Sequence, residues 1–294
     1  MSTLRAANIT VAILSVFGLA TVSSLADGVT SNDKLASPVQ ATVEWNHPPT
    51  SAIPGIEHGV IHSPSMDLDV GYNVFLPPGY TESKRRYPVI YFLHGAGGTE
   101  SSDAGGFSGL LRTEMDAGHS GAAICVFPNG GMSGYRDNAE RKIMGETLII
   151  KEIIPEIDRK YRTIAKRVGR TICGFSMGGG GAIRLSAKYP ELVSAAASWA
   201  AALGSRGNAE TTADLVNANA DNIRGKVRFL MIVGDKDQTF ASHTPVIDAF
   251  KEHKVRFELQ VLPGVDHNLG VYYSQTGTKV IQFVTSGFAR LATR

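Results

Sequence analysis

Gly174-Phe175-Ser176-Met177-Gly178 lies between the apolar run Val168 to Cys173 and the small-residue stretch Gly179 to Ile183. A serine at a strand-to-helix corner of this kind sits in a strained turn with its hydroxyl exposed, and the first amides of the helix face whatever it attacks. Glycines on either side of such a serine permit backbone approaches that a Cβ would block. The chemistry suggested is nucleophilic: Ser176 Oγ takes an acyl group and later gives it up. A hydroxyl needs a neighbouring base for this at neutral pH.

In chains with this type of corner the partners follow in the order Ser, Asp or Glu, His. Three histidines come after Ser176. His267 stands in Leu262-Pro263-Gly264-Val265-Asp266-His267-Asn268, just beyond the last strand candidate, where a base can reach over the carboxyl edge of a sheet. His253 belongs to the charged helix end Phe250 to Lys254 and reads as a solvated residue; His243, at a helix start, is the weaker alternative base. For the orienting acid, Phe229 to Val233 runs into Gly234-Asp235-Lys236-Asp237. Asp237 is preferred, because the tight turn returns it over the sheet while Asp235 shapes the turn through the backbone. Its role would be to fix the imidazole tautomer and stabilise the imidazolium.

A tetrahedral intermediate needs donors for its oxyanion. Met177 should supply one backbone N–H, and the loop His94-Gly95-Ala96-Gly97-Gly98 the other, with Ala96 the expected donor. His94 precedes the nucleophile in sequence and is expected to order that loop. Tyr135, in the loop Ser133 to Asn138, and Tyr272, after His267, are the candidate substrate contacts.

These residues must be held by alternating strands and helices. Strands are expected at Pro88–Leu93, Ala122–Phe127, Val168–Cys173, Ala195–Trp199, Val227–Val233 and Phe257–Val261, whose apolar runs suit a parallel sheet covered on both faces. Alternation from Gly59 to Phe75 predicts antiparallel strands ahead of them. Helices are expected at 107–117, 177–188, 209–219, 244–253 and 277–292. Another spans about 146–161, with a kink or break at Pro155. The fold class is α/β, with a mostly parallel central sheet flanked by helices and an antiparallel N-terminal edge.

Residues 1–26 read as an export signal, with Arg5, an apolar run Val11 to Ala20, and small residues at Ser24 and Ala26. The run is too short for a stable membrane span, which needs about 20 apolar residues. Residues 27–57 read as an extended arm, with one strand near 41–45, and 58–294 as a single catalytic domain. In the sheet order usual for chains with this type of corner, Cys125 and Cys173 would flank the strand Pro88–Leu93 and lie about 9–10 Å apart, beyond disulfide reach. Two buried free thiols are expected. With a formal net charge of +2 and both signs interspersed, nothing points to a nucleic-acid partner. Gly178 to Gly181 lack the rest of a nucleotide loop, and no zinc-type cluster occurs, so neither cofactor nor metal is implied. The pattern fixes no oligomeric state.

Tyr80, Tyr87-Pro88-Val89-Ile90-Tyr91-Phe92-Leu93-His94-Gly95-Ala96-Gly97-Gly98, Pro128-Asn129-Gly130-Gly131, Glu152 to Asp158, Tyr161-Arg162-Thr163 and Gly174 to Gly179 together resemble the Putative esterase family. That family includes feruloyl and acetylxylan esterases, esterase D enzymes and mycolyltransferases. The resemblance covers about residue 59 onward. It implies an α/β-hydrolase fold, carboxylic-ester cleavage, and a triad of Ser176, Asp237 and His267. Acetyl or feruloyl esters of plant-wall polysaccharide, or small short-chain esters, are the substrates it suggests; acyl transfer to a sugar hydroxyl is the alternative. Carbohydrate-esterase members often carry a tryptophan shortly after the catalytic histidine, where this chain has Asn268-Leu269-Gly270-Val271-Tyr272-Tyr273. An aromatic acyl group therefore rests on less than ester cleavage itself does.

Overall fold

Alternation inside the apolar runs decides the layering. Along Val89–Leu93 (β3), Val89, Tyr91 and Leu93 join one core while Ile90 and Phe92 join another. A two-residue period thus sends successive side chains to opposite faces of a sheet buried on both sides. The computed structural model describes residues 44–204 and 209–288. The expected export signal, most of the expected arm, residues 41–43 of the strand expected near 41–45, and the end of the helix expected at 277–292 lie outside them. Glu44 and Trp45 are not in a strand.

The antiparallel edge is Ile56–Ser63 (β1) paired with Leu68–Phe75 (β2). Ala104–Asp116 (α1) follows β3, and Ile124–Pro128 (β4) leads to a two-residue ladder, Asp137–Asn138 (β5) with Ile143–Met144 (β6). Then come Gly145–Thr147 (α2), a π-helical segment Leu148–Ile153, and Ile154–Lys160 (α3). The remaining elements are Arg170–Phe175 (β7), Met177–Lys188 (α4), Ala195–Trp199 (β8), Thr212–Ile223 (α5), Arg228–Gly234 (β9), Thr244–Glu252 (α6), Phe257–Leu262 (β10) and Leu269–Thr285 (α7). The eight-stranded sheet has the order β1-β2-β4-β3-β7-β8-β9-β10, with β2 antiparallel to β4 and every pairing from β4 to β10 parallel. This is the α/β-hydrolase arrangement. Helices α1 and α7 contribute Phe107, Leu111, Tyr272, Val280 and Ile281 to one core; α4, α5 and α6 contribute Ile183, Leu185, Val216 and Phe250 to the other.

One of the two outcomes expected at Pro155, a break, does not occur, and one helix start needs correction. Ile154 N–H donates to Ile149 O in the five-residue step of the π segment, and the helical path continues through Pro155 into α3. The last helix begins eight residues earlier than expected, because the Asn268 side chain accepts from Val271 N–H and caps it directly after His267. Between Cys125 on β4 and Cys173 on β7 runs β3, pairing Ile90 with Cys125 and Phe92 with Cys173. Both thiols are buried and free.

Candidate active site

Ser176 occupies the junction of β7 and α4 with φ 54° and ψ −116°, a left-handed backbone that a side chain rarely adopts. Three bonds lock it there. Its N–H donates to Trp199 O, and its carbonyl accepts from Gly180 N–H and Ala202 N–H, each at 2.9 Å. The flanking glycines follow from crowding. A Cβ on Gly178 would lie 1.9 Å from Leu93 O, and one on Gly174 2.5 Å from the same carbonyl. The elbow therefore presses its backbone against the end of β3, immediately below the His94–Gly98 loop.

His267 Nε2 is 2.8 Å from Ser176 Oγ, and His267 Nδ1 is 3.0 and 2.8 Å from Asp237 Oδ1 and Oδ2. The loop after β10 carries the histidine and the turn after β9 the aspartate, so three strand ends converge on one hydrogen-bonded line. The imidazole stacks at 4.7 Å on Phe175, the residue before the serine. Asp237 Oδ1 also accepts from Thr239 N–H at 2.8 Å and Thr239 Oγ1 at 2.7 Å, and Oδ2 accepts from Tyr272 OH at 2.8 Å. Burial raises the Asp237 carboxyl, but the bonds from Thr239, Tyr272 and His267 together outweigh it and hold the group below the usual carboxylate range. Facing an ionised carboxylate, Nδ1 carries the proton and leaves Nε2 as acceptor for the serine hydroxyl. In this state the arrangement can remove a proton from Ser176 and return it to a leaving group.

The other candidates fall off this line. Asp235 is exposed and accepts from Gly264 N–H at 2.7 Å, shaping the turn. His243 is buried with Nδ1 3.0 Å from Thr239 O, and His253 meets Asn217 at 3.2 Å. Ala96 is exposed at the tip of the loop after β3, and Met177 is the first residue of α4; neither amide meets an acceptor among the described residues. The neighbouring Gly95 lies directly over the elbow, since a Cβ there would be 3.2 Å from Phe175 and 3.6 Å from Ser176 Cβ.

Tyr135 and Tyr272 are corrected as substrate contacts: both rings are fully buried. Tyr135 is packed against Gly130 and Gly181 and donates to His94 O at 3.1 Å. Tyr272 turns inward, accepting Gly234 N–H at 2.7 Å while it donates to Asp237. Its phenol is raised, first by burial and further by the adjacent carboxylate, so it remains a donor. Thr239 was not anticipated, although Asp-x-Thr is a local turn pattern that brings the hydroxyl back to the carboxylate. The surrounding loop Ser133 to Asn138 is anchored by Asp137, which accepts from Glu146 N–H, Thr147 N–H and Thr147 Oγ1. No helix among the described residues is long and apolar enough to cross a membrane.

Comparison with known proteins agrees with this architecture. The family model described as Putative esterase matches residues 63–284. An esterase of Mycobacterium tuberculosis (strain CDC 1551 / Oshkosh) is 42% identical over 123 residues, which cover 40% of this chain and 26% of that protein. An endo-1,4-beta-xylanase/feruloyl esterase of Xylanibacter ruminicola is 33% identical over 129 residues, covering 41% of this chain and 18% of that protein. The matched stretches thus span about a quarter or less of these curated relatives. Among solved structures, a ferulic acid esterase superposes with a TM-score of 0.72 at 24% identity, covering 79% of this chain and 98% of the other. An S-formylglutathione hydrolase from Agrobacterium tumefaciens gives 0.67 at 16% identity, covering 82% and 99%.

Proposed function

Starting from a chain that belongs to this esterase family, we propose that it is an exported serine carboxylesterase working through an acyl-enzyme. The observation that carries the reading is the continuous line from Ser176 Oγ through His267 to Asp237, with contacts of 2.8 to 3.0 Å. As Ser176 Oγ attacks the ester carbonyl, His267 Nε2 takes its proton. Charge develops on the carbonyl oxygen, for which the Ala96 and Met177 amides are the assigned donors. Collapse of the tetrahedral intermediate expels the alcohol, which takes the proton back from His267. Water, deprotonated by the same nitrogen, then releases the acid and restores the serine.

Acetyl or feruloyl esters of plant-wall polysaccharide, and small short-chain esters, are the proposed substrates. The partial match to a xylanase/feruloyl esterase supports them. Export is supported by the charged, apolar and small-residue pattern of residues 1–26.

The test is hydrolysis of nitrophenyl esters of increasing acyl length beside methyl ferulate and acetylated xylan, with Ser176→Ala in parallel. Serine-dependent release of free acid is expected, and the preferred ester identifies the substrate class. A Ser176→Ala protein as active as wild type overturns the assignment. Acyl product appearing on an added sugar in place of free acid would replace hydrolysis by transfer.

A further inference from the structure

We infer that His94 is a positioning residue: its neutral ring, protonated on Nδ1, fixes the plane of the Gly95–Ala96 peptide and so aims the Ala96 N–H. The inference rests on the reading above that Ala96 is an oxyanion donor. The side chain is almost wholly buried, at 2% exposure. Nε2 lies 2.9 Å from Gly130 N, a backbone donor that cannot accept, so this nitrogen must present its lone pair. The proton then belongs on Nδ1, which lies 2.8 Å from Gly95 O. Burial, acting against the bond to Gly95, favours the uncharged ring.

The consequence for Ala96 follows from peptide geometry. Gly95 C=O and Ala96 N–H belong to one planar trans unit and point in opposite directions. Gly95 O receives two donors, His94 Nδ1–H and Gly98 N–H at 3.0 Å. Pinning the carbonyl on that side leaves the Ala96 N–H directed away from both, with no acceptor among the described residues. His94 is itself fastened at both ends. Its carbonyl accepts from Tyr135 OH at 3.1 Å, and its Nε2 is tied to the loop after β4. A second brace holds the far side of the same loop, where Gly97 N–H meets Met132 Sδ at 3.1 Å.

Two substitutions separate the ring's two bonds. In His94→Asn the amide nitrogen takes the place of Nδ1 and keeps the donor to Gly95 O, but cannot reach Gly130. In His94→Gln the amide oxygen takes the place of Nε2 and keeps the acceptor for Gly130 N–H, but the donor to Gly95 is lost. On a nitrophenyl ester, His94→Gln should lose about 10²–10³ in kcat, the usual effect of removing one oxyanion donor. KM should change little, and His94→Asn should retain most of the wild-type kcat. Nitrogen-15 NMR of histidine-labelled wild type at pH 8 should show His94 protonated on Nδ1, its signals identified by their absence from either variant. A ring protonated on Nε2 or on both nitrogens overturns the proposal without reference to how the variants behave. So does a His94→Gln enzyme as fast as His94→Asn. The underlying esterase reading fails by a different result, full activity in Ser176→Ala, which leaves the tautomer measurement unaffected.

Discussion

Tyr272 OH donates to Asp237 Oδ2 at 2.8 Å and accepts Gly234 N–H at 2.7 Å, so one phenol joins α7 to the strand end that presents the acid. His267 lies five residues before it, at the foot of the same helix. A single helix thereby sets the spacing between base and acid. Tyr272→Phe leaves Gly234 N–H without its acceptor and the carboxylate with one donor fewer. The expected loss is about 1–3 kcal/mol of stability, read from denaturant midpoints. A lower kcat with KM little changed should accompany it.

Ser176→Ala should reduce kcat by about 10⁶, to assay background, and abolish labelling by a phosphonate probe. The same position tests backbone strain. Ser176→Gly should be inactive too, yet melt higher than Ser176→Ala, because glycine occupies the φ of 54° without the penalty of about 1–3 kcal/mol that a side chain incurs.

Two neighbouring carboxylates should differ sharply in kinetics. Asp237→Asn should cost about 10⁴ in kcat by removing the charge that orients His267. Asp235→Asn alters a turn contact to Gly264 N–H alone and should leave kcat within about threefold of wild type, as expected for an exposed site.

In the folded protein the Asp237 carboxyl is held below its ordinary range, so its ionised form favours folding. This contribution is fully present above the unfolded value near pH 4 and is lost as pH falls through the lower folded value. Denaturation midpoints followed from about pH 5 to pH 2 should therefore drop more steeply for wild type than for Asp237→Asn.

Gly178 and Gly109 should respond oppositely to alanine. At Gly178 the new methyl meets Leu93 O at 1.9 Å and His94 O at 2.6 Å, both backbone atoms that cannot turn aside. Gly178→Ala should destabilise by at least about 1–3 kcal/mol and displace the elbow. Gly109, inside α1, has nothing within 4 Å of its missing Cβ, so Gly109→Ala should stabilise by about 0.4–1 kcal/mol with activity intact. Thermal melting and ester turnover on the same preparations check both.

Much of this molecule could be read from residue order because its central strands are buried on both faces. Ala195–Trp199 is bounded to the residue and the other parallel strands to within two positions, since in the central strands a continuous apolar run admits few alternatives. The serine, the histidine and the preference for Asp237 over Asp235 came from motif, chain order and loop position, all local properties. What stayed hidden depended on where helices lie in space. Tyr272 read as a substrate contact because its helix was expected to start at 277; with the Asn268 cap, α7 begins at Leu269 and the phenol turns inward. Tyr135 was misplaced for a related reason. Gly130 and Gly181, far apart in sequence, leave room for its ring, which is fully buried. Around Pro155 the π segment also escaped, because sequence periodicity does not distinguish a four-residue step from a five-residue one over so short a stretch.

The strand between Cys125 and Cys173 gives the protein a built-in clock. With β3 between them the two thiols are unpaired, and burial pushes both above the ordinary thiol range, so each should resist alkylation while the sheet is closed. Folding in reducing and oxidising media should then give the same protein. Any alkylation of Cys125 and Cys173 in native buffer measures how often the centre of the sheet opens, one thiol reporting from each side of the strand that leads to the His94 loop.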